Sequence, residues 1–137
     1  MFRRLNLSAT AIVLICFFLP WEQLSCGGAR DSLTGFDLAR HDSVLLWLIP
    51  LLSSAVLVFG LLRRAGENPK PFAIISAVSA AVTLFLMNDQ RSKMNDAAAV
   101  IPARLTGWFW LGLISAAGMA ITAIGILLGR PRPRADT

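Results

Sequence analysis

The stretch "LPWEQLSCGG", Leu19 to Gly28, stands where a long apolar run ends. Before it come Arg3-Arg4 and then "LNLSATAIVLICFFLPW", Leu5 to Trp21. A basic start, an apolar core and a cysteine among small residues outline a secretory or lipoprotein signal, whose apolar core spans about 7–15 residues. Leu24 and Ser25 suit cleavage before Cys26, but Trp21, Glu22 and Gln23 do not. Pro20-Trp21 is instead the kind of anchor a permanent helix places at a membrane surface. Leu5 to Trp21 is therefore expected to be a retained membrane helix.

Three further runs have the same character: Ser43 to Leu62, Pro71 to Asn88 and Gly107 to Gly129. The runs hold no Asp, Glu, Lys, Arg or His. At about 1.5 Å per residue each reaches roughly 25–35 Å, enough for a hydrocarbon core of about 30 Å. A water-soluble bundle of such helices would need a charged stripe on each. Of the 137 residues, 55% are hydrophobic and 15% charged. Soluble domains carry about 25% charge. The expected fold class is all-α: an integral membrane four-helix bundle, in a single domain covering 1–137. Its helices lie at about 5–21, 43–62, 71–88 and 107–129. Its outer loops are 22–42 and 89–106, and its basic inner tail is 130–137.

Orientation follows from charge. With the N-terminus inside, inner segments hold Arg3, Arg4, Arg63, Arg64, Lys70, Arg130, Arg132 and Arg134, opposed by Glu67 and Asp136. The outer loops carry Arg30, Arg40, Arg91, Lys93 and Arg104 against six acids. This is the positive-inside bias, and it predicts both termini in the cytoplasm of a plasma (inner) membrane protein. The tryptophans Trp21, Trp47, Trp108 and Trp110 then fall near the outer boundary, where an indole anchors well. The net charge of +5 is explained by lipid, with anionic lipids at the inner face, and nucleic acid is not expected as a partner.

Local signals refine the elements. Asp42 or Ser43 can cap the second helix and Thr106 the fourth. Pro50 is expected to bend the second helix from within. Pro71 suits the first turn of the third. Gly66 fits just past the second helix, and Gly129 with Pro131 closes the fourth. Thr34 with Asp37 resembles a capping box, which predicts a short helix in the first outer loop. Met87, Met94, Ala97, Ala98 and Ile101 share a helical face, so the third helix is expected to run on and break near Pro102. The two outer segments are expected to pack together as a small cap.

Chemistry-bearing residues are sparse. Cys16, about one and a half turns inside its helix and so roughly 8 Å below its end, is too deep to bridge Cys26, because bridged Cα atoms lie within about 7 Å. Cys26 could be free, bridged to a partner or lipidated. His41 is the only histidine, and with Asn88 it is a candidate ligand for a pigment or haem at the outer face. The polar groups expected inside the helices are hydroxyls: Ser8, Thr10, Ser53, Ser54, Ser76, Ser79, Thr83, Ser115 and Thr122. Ion-coupled carriers usually keep an ionisable group in the bilayer. Small multidrug carriers have a similar length but depend on an embedded glutamate, whereas Glu22 lies past Trp21. No triad, HExxH or phosphate-cradling glycine loop is visible. No catalytic or metal residues are therefore assigned, and an enzyme is not expected.

Small residues at four-residue spacing let helices approach closely. Ala73, Ala77 and Ala81 form such a stripe, as do Gly112, Ala116 and Ala120, followed by Gly125 and Gly129. They either join the third and fourth helices or receive another protein.

Leu19-Pro20-Trp21, Ser25-Cys26-Gly27 and Thr34-Gly35 resemble a pattern in small four-helix bacterial membrane proteins of uncharacterised function, over about a quarter of the chain. Tight-junction proteins also place a tryptophan and cysteines in their first outer loop, but the second loop cysteine is missing here. Neither resemblance implies an activity. The expected function is a non-catalytic accessory or scaffold subunit of a larger membrane complex, with other integral membrane subunits as partners. The alternatives are a cofactor-bearing (chlorophyll or haem) small subunit of a photosynthetic or respiratory complex, and a small-solute carrier. No cofactor of its own is predicted; a pigment or haem would come through a host complex.

Overall fold

The computed structural model describes residues 1–26, 28–64, 67–97, 99 and 103–129. The chain runs α1 (Phe2–Phe17), β1 (Pro20–Cys26), β2 (Ala29–Thr34), α2 (Gly35–His41), a 3-10 turn (Val44–Trp47), α3 (Leu48–Leu62), α4 (Lys70–Ala97), β3 (Ala103–Leu105) and α5 (Gly107–Leu128). Helix dominates. Val44–Leu62, Lys70–Asp96 and Gly107–Leu128 are each long and apolar enough to cross a membrane. α1, α3, α4 and α5 pack in a ring, each against two neighbours.

The burial pattern suits lipid rather than water. Asn6, Thr10, Ser53, Ser76, Ser79 and Thr83 are buried, while Ile15, Leu51, Phe85, Ile114 and Ile121 face outward. Asn6 is the centre of the interior. Its Nδ2 donates to Met119 O at 3.0 Å and to Thr122 Oγ1 at 2.8 Å, and its Oδ1 accepts from Ser76 Oγ at 2.8 Å. One side chain thus ties α1 to both α4 and α5. In a medium without water such bonds hold helices together where the hydrophobic effect cannot.

The expectation of an all-α chain needs correction. β1, β2 and β3 form an antiparallel sheet in the order β2-β1-β3 that caps one end of the ring. Cys26 pairs with Ala29, which closes a tight hairpin with Gly28 at φ +89°. A positive φ in a hairpin turn matches the strand twist and favours glycine, which has no Cβ to clash. The first helix also ends sooner than expected, at Phe17, because Pro20 and Trp21 belong to β1. Cys16 therefore stands in the last turn of α1, as a buried free thiol.

Other boundaries shift for local reasons. The second apolar run opens as a 3-10 turn, and α3 begins at Leu48. Pro50 thus sits in the first turn of α3, where its missing N–H leaves no helical bond unmade, and not in the interior. Ser43 precedes the 3-10 turn without a side-chain cap bond. Thr106 precedes α5, but its hydroxyl donates to Pro20 O and its N–H to Trp21 O at 2.8 Å, fastening α5 to β1. Pro71 falls in the first turn of α4, and α4 runs on past Asn88 to Ala97, the continuation that the shared face of Met87 and Met94 led one to expect. Gly129 closes α5, its N–H bonded to Gly125 O at 3.0 Å. The expectations for Gly66, Ala98, Ile101, Pro102, Pro131 and tail 130–137 lie outside the described residues.

The capping box at α2 is complete. Thr34 Oγ1 accepts from the Asp37 N–H at 3.1 Å, and Asp37 Oδ2 accepts from the Thr34 N–H at 3.1 Å. Gly35 lets α2 press onto the end of α1. A Cβ there would lie 2.7 Å from Phe17 O and 2.9 Å from the Trp21 ring. Neither obstacle is a flexible chain end. Gly35→Ala is expected to lower stability by about 1–3 kcal/mol, the usual cost of overpacking. Thermal unfolding in detergent micelles should show the loss, while Gly118→Ala, where a Cβ meets nothing within 4 Å, should not.

Candidate functional site

A pocket of about 570 Å³ lies under the cap, lined by Glu22, Leu33, Asp37, Leu38, His41, Asp42, Gln90, Lys93 and Met94. Its floor is built by a β-bulge. The β1–β2 register passes from Pro20↔Thr34 to Glu22↔Leu33, leaving Trp21 as the extra residue. A strand normally sends successive side chains to opposite faces, and a bulge re-aims them. Here Trp21 and Glu22 are both buried, at 1% and 5% exposure. Trp21 enters the core between Phe17 and Phe109 and donates its indole N–H to Cys16 O at 2.6 Å. Glu22 enters the pocket, where Gln90 Nε2 donates to its Oε1 at 3.0 Å.

The walls come from α2 and α4. The capping box fixes α2, which contributes Asp37, Leu38 and His41. The extension of α4 past Asn88 contributes Gln90, Lys93 and Met94. Lys93 Nζ is 3.2 Å from Asp89 Oδ2, one turn earlier and half exposed. Three carboxyl groups thus line a pocket whose lysine is already engaged. Leu33, Leu38 and Met94 supply apolar surface. The arrangement suits a ligand or side chain with a cationic or hydrogen-donating head and an apolar body.

The carboxyls differ in character. Burial raises the pKa of Glu22, the Gln90 bond opposes that, and the charge of Asp42 adds to it, with a net rise. Asp37 is held below its usual range, first by the Thr34 N–H and then by the Thr34 hydroxyl. Glu22 should therefore make stability pH-dependent. Where pH lies between its ordinary and its raised value, the folded state binds more protons than the unfolded, so stability falls as pH rises through that window. The expected result is a melting temperature that declines with rising pH in the wild type, and a flatter profile in Glu22→Gln over the same range.

Of the residues singled out in sequence, His41 lines the pocket and is exposed, whereas Asn88 is exposed on α4 and does not line it. Trp108 and Trp110 are exposed and Trp47 is half-buried. Trp21 differs from them, buried in the core and out of reach of an interface. The alanine stripe on α4 does not stay on one face: Ala73 is buried, Ala77 half-buried and Ala81 exposed. Steps of four residues overrun a 3.6-residue turn by about 40° each. On α5, Gly112 and Ala116 are buried and Ala120 half-buried. A Cβ on Gly112 would meet Cys16 and Met87, both at 3.3 Å, so this face receives α1 as well as α4. Gly125 receives the Phe2 ring, 3.4 Å from an added Cβ, and Gly129 is exposed. The side chain of Cys26 lies outside the described residues. Among the described residues, no group of three or more His, Cys, Asp or Glu side chains gathers to hold a metal.

Glu22 and Gln90 form the feature that sequence reasoning missed. Gln90 lies three residues past Met87 and four before Met94, on the buried face of α4, which was the signal available. Comparison with protein-family models, curated proteins and solved structures gave no match.

Proposed function

We propose that the protein is a non-catalytic accessory subunit of a larger assembly in the plasma membrane. It crosses the bilayer four times, α1 included, with both termini cytosolic and the sheet outside. The pocket that the bulge, capping box and extended α4 build at the cap is the observation that carries this reading. It offers an extracytoplasmic partner a fixed acidic cleft with apolar walls. β2 is an edge strand whose Arg30, Asp31 and Ser32 are exposed. The topology is supported by Arg3, Arg63, Arg64 and Lys70, which gather at the end opposite the cap, and by the exposed Trp108 and Trp110 near the cap.

The test has two parts. In a Cys26→Ser background, impermeant thiol reagent applied to intact cells should label Ser32→Cys and spare Ala135→Cys. A photo-crosslinking residue at His41 should capture, in one-to-one ratio, the same membrane protein that co-migrates after mild detergent extraction. A monomer that by itself moves solute or turns over substrate in liposomes would overturn the proposal. The exposed imidazole of His41 on the pocket rim favours a second reading, a pigment- or haem-bearing subunit. Haem or chlorophyll absorbance bands in the purified protein would establish that reading in place of the first.

A further inference from the structure

At the end of the ring opposite the cap, a pocket of about 80 Å³ is lined by Arg3, Arg63, Arg64, Glu67, Pro69, Phe72 and Ile126. We propose that this pocket binds the phosphate of an anionic phospholipid, with an acyl chain in the groove beside it.

Arg63 carries the inference. It follows the last turn of α3, its Nε is 3.1 Å from Glu67 Oε2, and its guanidinium lies 5.1 Å from the Phe59 ring centroid. Those two contacts fix the plane of the fork. Its Nη1 is buried and has no hydrogen-bond partner among the described residues. A buried guanidinium N–H without an acceptor is costly, and a fixed fork matches phosphate oxygens. Arg3 from α1 and Arg64 line the same pocket, so the three arginines outweigh Glu67, whose carboxylate orients Arg63. The volume has room for a group of a few heavy atoms, as one liquid water occupies about 30 Å³.

A second cavity distinguishes a lipid from a free phosphate. A groove of about 520 Å³ shares Pro69 and Ile126 with the arginine pocket and is otherwise lined by Phe2, Asn68, Lys70, Gly125 and Gly129. Its walls are mainly apolar, with the Phe2 ring seated over Gly125, and Gly129 exposed at its end. A charged pocket joined to an apolar groove is the shape of a headgroup and a chain. Basic pockets between helices on the cytoplasmic side hold acidic headgroups in this way. The leaflet rests on the N-in topology; the site does not.

The full-length protein in nanodiscs tests this directly. In phosphatidylcholine nanodiscs titrated with phosphatidylglycerol, native mass spectrometry should show one phosphatidylglycerol retained on the wild type in preference to phosphatidylcholine. At about 1 kcal/mol per basic residue near the surface, Arg3→Gln with Arg64→Gln should weaken that retention about thirtyfold. Arg63→Lys, which keeps the charge and loses the fork, should weaken it less than the double variant but measurably. Melting temperatures in pure phosphatidylcholine, unchanged between wild type and variants, would exclude misfolding. Equal retention of the two lipids, or retention indifferent to both variants, would overturn the proposal. So would displacement of phosphatidylglycerol by inorganic phosphate at matched concentration, which would make the pocket a site for the free ion.

Discussion

Replacing Trp21 by alanine is expected to cost about 3–5 kcal/mol of stability, the range for emptying a large buried aromatic site. The ring stands edge-on to Phe17 at 5.8 Å and to Phe109 at 5.5 Å, so it joins α1 to α5 through a strand that belongs to neither. Its N–H also closes onto Cys16 O. Trp21→Phe separates the two contributions. It keeps most of the ring contact and removes the N–H, while Cys16 O still accepts from the Leu19 N–H at 3.1 Å. The loss for phenylalanine should therefore be nearer about 1 kcal/mol, the net value of one hydrogen bond. Denaturation in mixed micelles, followed by circular dichroism, would measure both. Equal losses for the two variants would mean that packing around the ring contributes little.

The second large effect is expected at Asn6. Asn6→Leu keeps the volume and removes three interhelical hydrogen bonds at once. Such bonds in membrane proteins average about 0.6 kcal/mol and reach about 1.7, which places the loss of three at about 2–5 kcal/mol. Thr122 keeps its bonds to Gly118 O and Met119 O, so Met119 O still accepts from Thr122 and the orphaned group is the Ser76 hydroxyl. A double-mutant cycle of Asn6→Leu with Ser76→Ala should give a coupling of about 0.6–1.7 kcal/mol. A coupling near zero would show that Ser76 finds another partner when Asn6 is lost.

The sequence made the helices legible where the physics is local and uniform. Apolar runs free of charge located α5, the end of α3 and the start of α4 to within a residue or so, and Thr34 with Asp37 announced α2, because a capping box depends on residues three apart. The same attention to apolar content concealed β1. Pro20 and Trp21 extend the greasy run of α1 by composition, although Gly27-Gly28 between two short polar-apolar segments was a hairpin signal that composition alone does not weigh. Pro50 was misplaced because its effect depends on where the α-helix starts, and a 3-10 turn moved that start to Leu48. The alanine stripe on α4 failed for a geometric reason: four-residue spacing drifts around the helix, and the buried face follows Ala73, Ser76, Ala80, Thr83 and Met87 instead. Glu22 was the hardest residue to place. Its burial needs a bulge at the neighbouring Trp21 and a glutamine 68 positions away, and no local periodicity announces either.

The clasp between the two ends of the chain has a consequence for how the molecule is made. β3 supplies one edge of the sheet, and Thr106 fastens onto Pro20 and Trp21 across 86 positions of sequence. While the ribosome is still producing α4, β1 has been finished for some time with one flank open and the Trp21 ring lacking Phe109. The first helix is therefore complete well before the strand that follows it can be locked in place. Completion waits for the final hairpin of nascent chain, so premature termination or a slow codon stretch before residue 103 would leave an unsealed strand, open to chaperones and proteases.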